Sequence, residues 1–466
     1  MQFTSVSFLC FFLPVVLLLH SVLRGTLRDM MLLAASLVFY AWGGPKHLIL
    51  LVLSAVLNWA IALFLANRKR NKFWLFVGVS ANVALLVYFK YFNMLVQLLR
   101  SFGAEIGFAE VAIPAGVSFF TFQAISYLVD VYRQVAVPQR NLLRFLLYMA
   151  VFPQLLSGPI VRYSSVEQQL SERSVSAADM AYGIKRFIYG LTKKLFFAGG
   201  FGSVADAIFG FQPQQLTTSA AWLGAFAYAL QLYYDFSGYS DMAVGLGRML
   251  GFRFFENFDY PYISVTVTEF WRRWHMTLSS WFRDYLYIPL GGNRCGQVRT
   301  LLNLLIVFAA TGIWHGDELQ FIVWGLWHGV FLIVERMLGV KTWEPKKGKK
   351  YLARVYCLMV VLFGWVLFRA PSLSYAVGFI GRMLIPVFQD VPCTAIRYLD
   401  GRTVLLFALG VLLCGPLQKS SKKLLAAVRD EDKLGWIQII WLGLLYAYSV
   451  VLLISNTYNP FIYAQF

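Results

Sequence analysis

The chain has 466 residues, of which 59% are hydrophobic and 14% charged, and its mean hydropathy is +0.62. Soluble domains carry roughly a quarter of their residues as charges, so lipid is the main solvent here and no sizeable soluble domain is left over. The formal charge of +18 gathers in short loops between apolar segments, which is the pattern of a chain oriented in a membrane rather than of a nucleic-acid binder.

Apolar stretches near the span length of about 20 residues occur in chain order at 5–23, 47–66, 73–91, 219–234, 320–338, 352–368 and 436–455. The first has no basic region before it and no small-x-small cleavage site before Arg24, so it reads as a membrane helix and not a signal peptide. Basic runs at Arg68-Lys69-Arg70-Asn71-Lys72, at Lys346 to Lys350 and at Lys419 to Lys423 are expected on the cytoplasmic side, against anionic headgroups. Counting spans outward from them puts both chain ends outside the cell and makes the number of crossings even, about ten to twelve.

The middle of the chain differs from its flanks. Breakers and polar residues interrupt apolar sequence at Pro153-Gln154, Gly158-Pro159, Asp235-Phe236-Ser237-Gly238 and Pro289-Leu290-Gly291-Gly292. Irregular backbone survives at membrane depth only inside protein or beside a watery cavity. Residues 110–340 are therefore expected to surround a tunnel with re-entrant segments, walled by helices from 1–105 and 350–455 and followed by an aromatic tail at 456–466. All of this forms one integral membrane domain of all-α class, 1–466.

Within 266–288, Trp271, Trp274, Leu278, Trp281 and Tyr285 step by three and four into one aromatic stripe, while Arg272, Arg273, Arg283 and Asp284 forbid a simple span. The expectation is an amphipathic helix lying at the interface or dipping part-way in.

Three of the five histidines fall in the central region, each after a tryptophan: His275, His315 and His328. Histidine is the side chain best suited to shuttling a proton near neutral pH, and an ionisable residue within a membrane segment is a functional candidate by default. The run from Thr300 to Trp314 makes only about 22 Å of helix, short of the ~30 Å hydrocarbon core, which recesses His315 below the surface. A neutral core histidine bonded to a backbone carbonyl is the competing reading for each of the three.

Other signatures fail. The chain has no HExxH, no GxSxG elbow, no Walker loop and no His-x4-Asp after any histidine, and the glycines at Gly245 and Gly247 lead to Leu250 where a dinucleotide fingerprint needs glycine. The five cysteines, Cys10, Cys295, Cys357, Cys393 and Cys414, lack CxxC spacing and suggest neither a disulfide framework nor a zinc site. Acyl transfer driven by histidine, without a metal, is the simplest remaining chemistry.

Five stretches in order resemble the membrane-bound O-acyltransferase family, in the branch of alginate O-acetyltransferases and of the teichoic-acid D-alanyl transfer protein. They are Pro114 to Phe122, Pro153 to Ile160, Tyr234 to Asp241, Phe270 to His275 and Gly312 to Gly316. The resemblance implies that His315 is the essential histidine, in a tunnel open to cytoplasmic thioester on one side and acceptor on the other, with His275 as the second family histidine. It implies acetyl-CoA as donor substrate with no bound cofactor, an extracellular SGNH-type acetyltransferase or esterase as partner, and a cell-surface polysaccharide as acceptor. The tail Phe461-Ile462-Tyr463-Ala464-Gln465-Phe466 is similar to a tail of this branch whose tyrosine is proposed to receive the acyl group; an interfacial aromatic anchor is the other reading of Tyr463.

Cytoplasmic donor phosphates are expected at Arg273 with Lys193 and Lys194, and Asp235, Ser237, Asp241, Trp314 and His328 are candidates for lining the passage, although capping and packing explain the polar ones equally well. D-Alanyl transfer, transport of a lipid-linked sugar and a non-catalytic scaffold role are the alternatives. Transport lacks support from internal repeats.

Overall fold

The computed structural model describes residues 1–67, 71–103, 107–108, 110–340, 347–415 and 435–455. The basic residues at 68–70, 346 and 419–433 and the tail with Tyr463 lie outside the described residues. Among the described residues the regular structure is helical, with one isolated bridge between Leu216 and Cys393. Among the described residues five helices are long and apolar enough to cross a membrane: Pro45–Ala66, Lys72–Ser101, Gln297–His315, Gly348–Arg369 and Trp436–Ser455. Shorter apolar helices occupy Phe8–Val22, Val117–Tyr132, Leu373–Leu384 and Gly401–Leu413.

The residues cluster into two compact units. Unit 1 holds Met1–Tyr189 and Tyr239–Phe255, and unit 2 holds Gly190–Gly238 and the described residues from Glu256 onward.

Unit 1 begins with α1 (Leu13–Val22), α2 (Gly25–Ala41), α3 (Pro45–Asn67), α4 (Lys72–Ser101), α5 (Val117–Tyr132) and α6 (Leu142–Ala150). Asn58 of α3 and Asn82 of α4 exchange side-chain amide hydrogen bonds of 3.2 and 2.7 Å at buried positions, which satisfies two amides that lipid could not. The expected break near Pro153 is present: α6 stops at Ala150 and the single turn α7 (Phe152–Leu155) follows. The backbone N–H of Phe152 donates to Ser36 Oγ of α2 at 3.2 Å, so a side chain takes the place of a helical carbonyl. The unit continues through α8 (Tyr163–Ser171) and most of α9 (Ala177–Thr192).

Unit 2 begins within α9 and contains α10 (Gly199–Phe209) and the first part of α11 (Thr218–Met249). The interruption expected at Asp235 to Gly238 is absent, because α11 runs through it as one helix of 32 residues. Gly238 serves close approach rather than a turn: a Cβ there would stand 2.8 Å from the Gly190 carbonyl oxygen. The polar residues Asp235 and Ser237 are buried on this helix, so packing, not a break, explains their place.

The aromatic stripe of 266–288 departs from expectation as well. It is divided into α12 (Val267–Arg273), α13 (Met276–Phe282) and a π-helical stretch Arg283–Tyr287, and the chain turns at His275, whose φ is +44°. Trp271, Trp274, Leu278 and Trp281 are buried in protein. Breaking the helix at His275 lets the tryptophans face other helices of unit 2, where they bury more apolar surface than one straight interfacial helix could.

Three helices complete the surroundings of the stripe: α14 (Gln297–His315), α15 (Leu319–Met337) and α16 (Lys347–Arg369). A three-residue connection, Gly316 to Glu318, folds α15 back on α14. The two helices touch backbone to backbone, because a Cβ on Gly312 would lie 2.4 Å from the Phe321 carbonyl oxygen and one on Gly325 would lie 2.3 Å from that of Phe308. The helices α17 (Leu373–Leu384), α18 (Gly401–Leu413) and α19 (Trp436–Ser455) follow.

Gly312→Ala should therefore lower the apparent melting temperature of the detergent-solubilised protein, by the equivalent of about 1–3 kcal/mol of overpacking. Gly443→Ala, where nothing lies within 4 Å of the added carbon, should leave it unchanged. Equal melting temperatures for the two variants would contradict the close contact.

Candidate active site

His315 is the last residue of α14 and is 2% exposed. Three rings meet its imidazole edge to face: Trp314 with centroids 4.6 Å apart, Trp324 at 4.9 Å and Phe368 at 5.1 Å. Each comes from a different place, one from its own helix, one from α15 and one from α16. The Gly312–Gly325 contact brings Trp324 close enough to take part.

The His275 ring lies 6.4 Å from that of Trp314, centroid to centroid, and packs edge to face on Phe236 of α11 at 4.6 Å. Its Nδ1 lies 3.1 Å from Asn257 Oδ1. That oxygen also accepts the Thr277 backbone N–H at 3.2 Å and the Thr277 hydroxyl at 2.9 Å. A backbone N–H can only donate, so the Asn257 atom facing all three groups is the carbonyl oxygen and His275 Nδ1 must carry a proton. Neutral His275 is thereby left with its lone pair on Nε2, the arrangement of an imidazole held ready to accept a proton.

The left-handed backbone of His275 belongs to the same construction. A non-glycine residue at φ +44° is disfavoured. It is held there because the Met276 N–H bonds the Asn257 carbonyl at 3.0 Å while Asn257 Oδ1 holds the next turn.

His328 joins the same aromatic cluster from α15. Its ring is fully buried, 5.0 Å from Trp271, 5.5 Å from Trp324 and 6.3 Å from Trp365. Neither of its ring nitrogens has a hydrogen-bond partner among the described residues, and the same holds for the indole N–H groups of Trp271 and Trp324. His275, His315 and His328, separated in sequence, thus meet in one cluster in which Trp314 is close to both His275 and His315, and Trp324 to both His315 and His328.

The remaining candidates divide. Asp235 forms a buried ion pair with Lys194, and Ser237 is buried two residues further along α11. Lys193 stands over the Tyr233 ring, 5.9 Å from its centroid. Arg273 pairs with Asp259 at 2.6 Å and with Glu269 at 2.9 Å, tying α12 to the preceding loop. Asp241 belongs to unit 1, where it accepts from Arg186 at 2.7 Å. No group of three or more His, Cys, Asp or Glu side chains among the described residues could hold a metal ion.

Two residues that place the site escape a reading of the sequence alone. Asn257 is 18 positions from His275, and no periodicity connects them. Glu335, 2% exposed on α15, accepts from the backbone N–H groups of Val267 and Thr268 at 2.5 and 2.9 Å and from the Thr268 hydroxyl at 2.7 Å. Its carboxylate caps α12 from another helix and compensates the partial positive charge of that N-terminus. An acidic residue within the apolar run 320–338 was the available signal.

The model of the membrane-bound O-acyltransferase family matches residues 39–376. The chain belongs to this family. The enzyme is 39% identical to the probable alginate O-acetylase of Pseudomonas putida, over the whole of both chains. It is 35% identical to the peptidoglycan O-acetyltransferase of Helicobacter pylori, over 80% of this chain and 78% of the relative. Similarity to the teichoic acid D-alanyltransferase of Bacillus subtilis is lower, 29% over 54% of this chain and 68% of the relative. The protein is accordingly a multi-pass membrane O-acyltransferase, and the aromatic cluster around its histidines lies in the segment 39–376 that the family shares.

Asn257→Ala in this acyltransferase removes the acceptor that fixes the His275 tautomer and should lower the transfer rate about ten- to hundredfold. Asn257→Asp keeps an oxygen toward Nδ1 and Thr277 and should retain most of the rate. The comparison is read in purified protein reconstituted in lipid, and equal losses in both variants would remove the tautomer argument.

Proposed function

We propose that this O-acyltransferase acetylates an extracellular polysaccharide, taking the acetyl group from acetyl-CoA on the cytoplasmic side, with His315 as the catalytic base. The observation that carries the reading is the placement of His315 at the end of α14, buried and ringed by Trp314, Trp324 and Phe368, with the oriented His275 near Trp314. Similarity along the whole chain to an alginate O-acetylase, and along most of it to a peptidoglycan O-acetyltransferase, favours acetyl over D-alanyl as the group moved.

In this mechanism His315 removes the proton of the acceptor hydroxyl as its oxygen attacks the thioester carbonyl. The tetrahedral intermediate then collapses, the carbon–sulfur bond breaks, and the imidazolium returns the proton to the leaving thiolate of CoA. Ester and free thiol are the products, and the histidine ends in its starting state. The aromatic rings keep bulk water away from the thioester, which limits hydrolysis. His275, with its proton held on Nδ1 by Asn257, presents Nε2 to the same region as the second histidine.

The donor and the acceptor reach His315 from opposite faces of the membrane through a tunnel, in one catalytic domain with both termini outside. The first acceptor is the Tyr463 phenol of the C-terminal tail, so that acetyl crosses as a tyrosyl ester while CoA stays in the cytoplasm. An extracellular SGNH-type transferase or esterase then carries it to the glycan. Asp235, Ser237, Asp241, Arg273 and His328 support the passage and its helices.

His315→Ala should abolish acetylation of surface polysaccharide while protein level and membrane insertion stay normal, as judged by immunoblot of membranes and by glycan acetyl analysis. Retained acetylation would remove His315 from the chemistry. Tyr463→Phe deletes one hydroxyl and should abolish delivery while leaving His315-dependent release of free CoA to an artificial alcohol; full delivery in that variant would end the tyrosyl-ester step and leave the histidine assignment standing.

A further inference from the structure

In unit 1, away from the histidines of unit 2 in sequence, α1, α2 and the end of α8 bring three basic side chains into electrostatic reach of one another: His20, Arg28 and Arg173. The Arg173 side chain is 1% exposed. Its Nη2 pairs with Asp29, its Nη1 donates to the Gln169 carbonyl at 3.4 Å, and its guanidinium lies over the Phe252 ring, 4.7 Å from the centroid. Arg28 donates through Nη2 to the Arg173 carbonyl at 2.8 Å. After these contacts, Arg28 Nε, Arg173 Nε and His20 Nε2 remain buried with no hydrogen-bond partner among the described residues.

The charges do not balance. The Asp29 carboxylate pairs with Arg173, and Arg28 and Arg144 add two further positive charges within electrostatic range of Arg173. Guanidinium cannot shed its proton to relieve the imbalance, and a buried N–H left unmade is costly. A hydroxyl or an amide would satisfy one N–H but supply no charge. An oxyanion supplies both, and a tetrahedral one can take N–H groups from two guanidiniums at once. The His20 ring hydrogen-bonds the Leu250 backbone, so the bare Nε2 is its accepting edge and can meet a hydroxyl of the bound ester, on the phosphate of a monoester or on the glycerol of a headgroup.

We propose that His20, Arg28 and Arg173 form a binding site for a phosphate ester. The phosphate takes the Nε–H groups of Arg28 and Arg173, and its negative charge completes the neutralisation that Asp29 begins. Two sources share this chemistry, a phospholipid headgroup and a soluble nucleotide, and the test separates them.

The full-length protein is held in maltoside micelles, which contain no phosphate, and its thermal midpoint is followed in two arms. One adds adenosine 3′,5′-bisphosphate, the other adds phosphatidylglycerol to the micelles. The midpoint should rise in at least one arm: a rise with the bisphosphate assigns the site to a soluble ester, a rise with phosphatidylglycerol to a headgroup. Arg28, only half-buried, is the residue to change. Arg28→Ala should weaken the apparent affinity roughly tenfold or more, while Arg28→Lys, which keeps the charge but not the fork, should retain part of it. A wild-type midpoint that moves in neither arm overturns the proposal, as does an Arg28→Ala variant that keeps the full response. Should Arg28→Ala fail to accumulate, Arg28→Lys against wild type in the same two arms decides, with an unchanged response counting against the site.

Discussion

The backbone contact between α14 and α15 is the constraint on which the candidate site depends. At Gly312 and Gly325 each helix presents a bare Cα to a carbonyl of the other, and any larger side chain would separate them. That approach puts Trp324 against His315 and, one turn along α15, carries His328 toward Trp271. The same helix reaches α12 through Glu335. One pair of small residues thus sets the positions of groups that come from three helices.

Around that contact single side chains each meet several polar requirements, while both His328 ring nitrogens find no partner among the described residues. Asn257 fixes the proton of His275, holds the next helical turn and stabilises a left-handed residue at the break between α12 and α13. Glu335 closes the N-terminus of α12, and Thr266 assists by accepting the Glu269 N–H at 2.9 Å. Arg273 and Lys194, basic residues that could have faced solvent, are each engaged with carboxylates. In a medium without water every such group needs a protein partner, and these pairs also define the register of the helices that carry the rings.

Much of the broad outline was legible from residue order. Hydropathy identified helices such as Pro45–Ala66, Gly348–Arg369 and Trp436–Ser455. Three Trp-His pairs in the polar middle marked the side chains that meet in the aromatic cluster. Two local readings failed for the same reason: Asp235 to Gly238 looked like a break, and 266–288 looked like one helix. Helix continuity at those places depends on what packs alongside, Gly190 in the first case and Asn257 in the second.

Composition and spacing alone determined that this is a helical membrane protein and which histidines stand in its polar centre, because span length, hydropathy and the scarcity of ionisable groups are properties of the chain read locally. Only the tertiary structure decided that His275 comes close to Trp314, that Asn257 sets the His275 tautomer, and that Glu335 caps α12. Those facts rest on contacts between residues 18 to 68 positions apart, where directionality of hydrogen bonds and close packing, not sequence period, select the partner.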